Sequence, residues 1–227
     1  MKIVHEEIIL NEPMEGTEDD LEVALSEVRK AIGSICWPPG SDRMHLNPSR
    51  NRKKETGKKT TTYGGNSPSQ MKLAFAEGIV AQHWDAEVTV EVVDGERVGN
   101  VDFVSHKSSG LYCVEWETGN VASCHRSVNK MALGLLTNAI RMGILIVPSA
   151  EMYPYLTHRT ANYREISPYR HLWKYLTFKQ GYLSMIVVEH DEIDGSVPVI
   201  PKKQIYGSMN SAFNGGDGMD DYWVDDE

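Results

Sequence analysis

The sequence predicts an α/β protein with one central mixed β-sheet flanked by helices. Three features carry this. Residues 87–93 (EVTVEVV) alternate apolar and polar, as a half-buried strand does. Residues 123–142 place Val128, Met131, Ala132, Leu135, Leu136, Ala139 and Ile140 on one helical stripe. Residues 144–147 (ILIV) are wholly apolar, the mark of a strand buried on both faces. A hairpin, a crossover helix and a parallel strand then fit one mixed sheet.

The elements follow in order. A first helix is expected over 17–35, because Leu21, Ala24, Leu25, Val28, Ile32 and Ile35 recur at helical spacing. Thr17 and Asp20 form a capping-box-like start, and the Trp37-Pro38-Pro39-Gly40 cluster ends the helix. Residues 41–66 are polar, basic and without periodicity, which predicts a long functional or disordered loop. A second helix is expected over 69–84, burying Met71, Phe75, Ile79 and Val80. Strands are expected at 87–93, 97–104 and 111–118, joined by turns at Asp94-Gly95 and at 107–110. Gly143 closes the 123–142 helix, and a last apolar strand is expected at 183–189. The order is helix, helix, strand, strand, strand, helix, strand. One domain over 1–206 and a flexible acidic tail over 207–227 complete the plan.

Composition narrows the setting. At 227 residues, 41% hydrophobic and 24% charged, the chain resembles a soluble globular domain. No apolar run approaches the roughly 20 residues of a spanning helix, so no membrane partner is expected. Glu6 and Glu7 interrupt the apolar stretch a signal peptide would need. Three cysteines do not build a disulfide framework, and a cytoplasmic location follows. The formal charge is -9, yet residues 43–59 hold seven basic residues and one acidic one, leaving 16 basic and 31 acidic elsewhere. Such a patch can hold phosphates, because salt confines distant charges to about 8–10 Å.

The chemistry-bearing pattern is Asp102 on one strand and Glu115-Trp116-Glu117 on the next. Alternation puts Cys113, Glu115 and Glu117 on one face and Tyr112, Val114 and Trp116 on the other, toward a core. Three convergent carboxylates suit one or two hard cations such as Mg²⁺, which polarise a phosphoryl oxygen and activate water. The same pattern also fits three carboxylates on the solvent face of a half-exposed sheet. Cys113, Cys124 and His125 fit no compact zinc motif.

At these residues the chain resembles the PD-(D/E)XK nucleases, and within them the BglII and BamHI branch of type II restriction endonucleases. The pattern reads Val101-Asp102, twelve intervening residues, then Glu115-Trp116-Glu117. Val101 replaces the usual Pro, and Glu117 replaces the usual Lys, as that branch allows. Residues 67–84, ending His83-Trp84, are similar to the helix before the catalytic strands. Met152-Tyr153-Pro154 and residues 160–165 are similar to a DNA-contacting segment.

The resemblance implies a restriction-endonuclease-like core and Mg²⁺-dependent cleavage of double-stranded DNA by a homodimer at a short palindrome, one built around GATC by analogy. A cognate DNA methyltransferase would be a genetic partner. Asp102 and Glu115 would hold the metal, and Glu117 would position or deprotonate the attacking water. Glu77 is the expected further catalytic carboxylate, with Glu91 behind it. Expected DNA contacts are Arg50, Arg52, Lys53, Lys54, Lys58 and Lys59 in the basic segment, Asn120, Arg126 and Lys130 near the long helix, and Arg159, Thr160 and Asn162 in a later loop. A structure-specific repair or recombination nuclease and a non-catalytic DNA-binding protein are the alternatives.

Overall fold

The computed structural model describes residues 1–52, 62–93, 95–157, 160–176 and 180–202. The expected tail at 207–227 and Lys53, Lys54, Lys58, Lys59 and Arg159 therefore lie outside the described residues.

The chain opens with β1 (Lys2–Glu12) and α1 (Glu18–Gly33). Three short strands follow, β2 (His45–Leu46), β3 (Arg50–Arg52) and β4 (Thr62–Gly64), and then α2 (Pro68–Val80). The hairpin strands are β5 (Asp85–Val93), β6 (Glu96–Lys107) and β7 (Gly110–Trp116). Next come α3 (Val121–Leu136), β8 (Met142–Pro148), α4 (Tyr163–Ile166), α5 (Arg170–Lys174), β9 (Gly181–Glu189) and β10 (Glu192–Ile193).

Six strands form the central sheet in the order β1-β9-β8-β7-β6-β5. The middle pairs β7–β8 and β8–β9 are parallel, while β5–β6, β6–β7 and β1–β9 are antiparallel. The expected mixed sheet is present. The parallel pair β7–β8 is joined through α3, as a crossover requires.

Each face of this sheet has its own core. On one face, Leu21, Val28 and Ile32 of α1 and Phe75 and Ile79 of α2 pack with Tyr112, Val114 and Ile144. On the other, Val128, Met131 and Leu135 of α3 and Trp173 of α5 pack with Cys113, Leu145 and Leu183. The middle strands β7 and β8 are therefore covered on both sides, and the face carrying Cys113 and Glu115 is not open to solvent.

Several expectations are corrected. Residues 2–12 carry no strand signal, because His5, Glu6 and Glu7 break the alternation, yet they form β1 along the sheet edge. Thr17 makes no side-chain cap to α1; its hydroxyl donates instead to the Met14 carbonyl at 2.7 Å. The second helix ends at Val80, and His83 beyond it has φ 66. The third ends at Leu136, with Asn138 at φ 58 turning the chain into β8. Residues 41–66 are not uniformly loop: β2 pairs with β10, and β3 pairs with β4. Where β4 passes the Tyr153–Tyr155 turn, a Cβ on Gly64 would lie 1.9 Å from the Tyr155 carbonyl carbon, so only glycine allows that crossing.

Candidate active site

The site sits where β6 and β7 stop pairing. Their register runs to Phe103–Val114. One step beyond, the Asp102 carboxylate takes over from the backbone ladder: its Oδ2 accepts from the Trp116 N–H at 2.8 Å. This bond fixes Asp102 beside the carboxyl end of β7. Open α/β sheets place their ligand sites at the carboxyl ends of parallel strands.

The aromatic side chains beneath make a rigid floor. Phe75 of α2 meets Phe103 at 5.2 Å and Trp116 at 5.0 Å between ring centroids. Lys72, three residues before Phe75 on the same helix face, reaches Asp102 Oδ1 at 2.7 Å. No sequence signal points from Lys72 to Asp102.

Glu115 is the most unusual residue of the centre, a carboxylate only 5% exposed. From α3, Lys130 sets its ammonium against Oε1 and also donates to the Asn100 carbonyl of β6. The Lys130 ammonium is the partner of that buried oxygen. Burial first, and the charge of Asp102 second, push the Glu115 carboxyl above the ordinary carboxylate range, against the pull of Lys130. Glu115 at least does not face solvent.

Glu117 lies just past β7. Its Oε1 accepts from the Gly119 N–H at 2.6 Å, and Ser127 donates to Oε2 at 3.4 Å. A Cβ on Gly119 would lie 2.9 Å from Glu117 Oε1 and 2.8 Å from Ser123 Oγ, so a side chain there would push both side chains aside. Burial raises the Glu117 carboxyl as well, with the Gly119 N–H opposing. The charge of Asp102 raises both Glu115 and Glu117. Even so, among the described residues no three His, Cys, Asp or Glu side chains gather closely enough to hold a metal ion. The expected three-carboxylate cluster is in this geometry a pair, Asp102 and Glu115, with Glu117 turned to the Gly119 amide.

Other expected residues move away from the centre. Glu77 lines a separate cavity of about 530 Å³ with Cys36, Trp37, Met44 and Gln70. Five residues separate it from Lys72, about 140° around the helix. Glu91 is exposed and accepts from the Gly95 N–H at 2.8 Å, at the hairpin turn. The acid that β5 does bring across from Asp102 is Glu87, between the pairs Ala86–Phe103 and Val88–Val101, and its backbone is left-handed at φ 54. No sequence signal announces that conformation.

The expected DNA contacts divide in the same way. Arg126 is exposed on α3 and its charge reaches Glu117. Asn120 caps α3, accepting from the Ala122 N–H at 2.9 Å. Lys130 is committed to Glu115 and Asn100 rather than to a surface. Thr160 is buried and donates to the Thr157 carbonyl at 3.2 Å. Asn162 is buried as the cap of α4, in a reciprocal box with Glu165. Both make local bonds within their own segment. Their segment still borders the site, since the Ala161 N–H donates to the Gly119 carbonyl at 2.6 Å. Arg50 and Arg52 lie on β3.

Residues 1–204 match the model of the restriction endonuclease BamHI family. The chain belongs to that family. It is 34% identical over 202 residues to the type II restriction enzyme OkrAI of Oceanobacter kriegii, covering 89% of this chain and 96% of that one. It is 29% identical over 208 residues to the type II restriction enzyme BamHI of Bacillus amyloliquefaciens, covering 88% and 90%. The fold is also that of restriction endonuclease BglII, solved with a DNA 16-mer, at a TM-score of 0.56 and 14% identity over 84% of this chain and 79% of that one. The expected BglII and BamHI branch of type II restriction endonucleases is therefore the right one. Among the described residues no helix is long and apolar enough to cross a membrane.

Proposed function

We propose that this restriction enzyme hydrolyses phosphodiester bonds of double-stranded DNA at a short palindromic site, with Mg²⁺ as its cofactor and two copies of the chain as the working unit. The observation that carries the reading is Glu115, a buried carboxylate raised in pKa beside Asp102 at the carboxyl end of β7. A fold keeps two such acids together at a cost, and perturbed groups of this kind mark functional sites.

The residues present fit a hard divalent cation. Asp102 and Glu115 offer carboxylate oxygens, and the buried Glu115 Oε1 already has a cation, the Lys130 ammonium, beside it. These two would hold the ion. When bound, Mg²⁺ supplies a Lewis acid for the phosphoryl oxygen and lowers the pKa of water. Glu117 has the protein's part in the proton transfer. Its raised pKa suits a general base, and the Gly119 amide and Ser127 hydroxyl aim it. Arg126, exposed one turn into α3, is placed for a phosphate.

Uncovered apolar side chains support the dimer. Leu172 and Tyr175 are 61% and 87% exposed, and Leu133 and Leu136 of α3 are also uncovered. Their helices are tied by Trp173, whose indole donates to Asn129 at 3.0 Å. Large exposed apolar groups of this kind mark association surfaces.

The test is digestion of phage DNA of known sequence with Mg²⁺. Discrete fragments that map to one palindrome are expected, and the map shows whether that palindrome contains GATC. Smearing, or cutting confined to branched substrates, would instead indicate a repair or recombination nuclease.

A further inference from the structure

Two lysines enter the acidic centre from opposite sides of the sheet. Lys72 comes from α2 to Asp102, and Lys130 comes from α3 to Glu115. The two pairs differ in burial. The side chains of Lys72 and Asp102 are 20% and 18% exposed, those of Lys130 and Glu115 only 9% and 7%. Asp102 and Glu115 thus each hold an ammonium before any divalent ion arrives. A dication on Glu115 Oε1 would then share that oxygen with the Lys130 ammonium, at close range and out of water, where like charges repel most strongly.

We propose that Lys130 is the resident counter-cation of Glu115 and is displaced when the metal binds, so that this lysine sets the metal affinity of the site. The proposal rests on the reading above, that Asp102 and Glu115 hold a divalent metal. Three observations support it. Lys130 holds Oε1, a buried oxygen with no other partner among the described residues, so its ammonium sits where a cation would. Its stem is a flexible four-carbon chain on a well-packed helix, so the ammonium can leave while α3 stays in place. Its second anchor is one backbone carbonyl, that of Asn100, which water can satisfy once the lysine has gone. In the metal-free protein Lys130 keeps a buried carboxylate from standing unpaired, a costly arrangement for any fold.

Metal binding without DNA tests this apart from cleavage. Mg²⁺ is titrated calorimetrically into the wild type, Lys130→Met and Glu115→Ala, and the melting temperature of each is read with and without Mg²⁺. The half-saturating Mg²⁺ concentration should fall in Lys130→Met, on the order of tenfold, because a close like charge has gone. The same variant should melt lower without metal and gain more from Mg²⁺ than the wild type does. Unchanged or weaker binding in Lys130→Met overturns the proposal; loss of cleavage alongside would make Lys130 the stand-in for the lysine that Glu117 replaces. Wild-type binding that survives in Glu115→Ala overturns the metal reading itself, and this proposal with it.

Should Lys130→Met fail to fold, the wild type answers alone. The Lys130 ammonium resonance, assigned by its absence from Lys130→Arg, should move to the position of exposed lysines on Mg²⁺ addition. A resonance that stays put overturns the proposal.

Discussion

Two acidic centres of this protein, each held by lysine, behave in opposite ways. Glu7 on the edge strand β1 has Lys174 Nζ at 2.5 Å, Arg170 Nε at 3.7 Å, His5 at 3.6 Å and the Tyr163 hydroxyl at 3.0 Å. Burial alone would raise its pKa, but the bonds from Lys174 and Tyr163 outweigh burial and hold it below the ordinary carboxylate range. Glu115 has one lysine, a neighbouring carboxylate and deeper burial, and its pKa goes up. Glu7 is an acid arranged to stabilise: it ties α4 and α5 to the sheet edge. Glu115 is an acid held against its own stability, which is the signature of a group kept for chemistry. A salt bridge drawn on a structure does not tell these cases apart. The direction of the pKa does.

Breaking the catalytic side should show the larger effects. Glu117→Gln keeps the size of the side chain and removes the base. Cleavage should fall by roughly 10²–10⁴-fold, the usual worth of a general base. Mg²⁺ binding, read by calorimetry, should stay close to wild type. Loss of Mg²⁺ binding in this variant would move Glu117 from the proton transfer into the metal site.

The structural side should show smaller effects, and in stability. Glu7→Gln should cost roughly 0.5–1 kcal/mol at neutral pH, since its main partner Lys174 is 41% exposed. The sign with pH follows from linkage. A carboxyl with a depressed folded pKa gives full stabilisation above its unfolded pKa and loses it as pH falls through the folded value. The deficit of Glu7→Gln against wild type should therefore shrink toward zero in acid, as denaturant midpoints at several pH values would show. Glu115 runs the other way: its raised folded pKa makes the fold gain from its protonation as pH falls. A gap for Glu7→Gln that widens in acid would reverse the assignment of the two centres.

Much of this was legible in the sequence, and the losses have physical causes. Alternation in β7 placed Cys113, Glu115 and Glu117 on one face, and the stripe of α3 placed Val128, Met131, Ala132 and Leu135 on its buried side, although Leu136 is exposed and Ala139 and Ile140 lie past the helix end. Alternation could not reveal that α3 and α5 cover that face, so Glu115 could equally have been a surface acid. Helical periodicity located α2 but not which of its faces meets β6. Lys72 reaches Asp102 while Glu77 lines another cavity, because the Phe75 face docks on Phe103 and Trp116. Lys130 sits beside the apolar stripe of α3, where a basic residue reads as exposed; only the tertiary position of Glu115 draws it inward. Thr160 and Asn162 read as donors to bases, but capping and turn bonds compete for the same atoms.

The most direct test of the central claim measures cleavage and melting temperature together in Glu115→Gln and Glu7→Gln, with the same phage DNA and Mg²⁺. Glu115→Gln should lose at least about 10³-fold in cleavage, the scale of a lost charge-stabilising group. Glu7→Gln should melt lower and still cut at the same sites. Cleavage by Glu115→Gln at the wild-type rate would contradict the assignment of Glu115 to the chemistry.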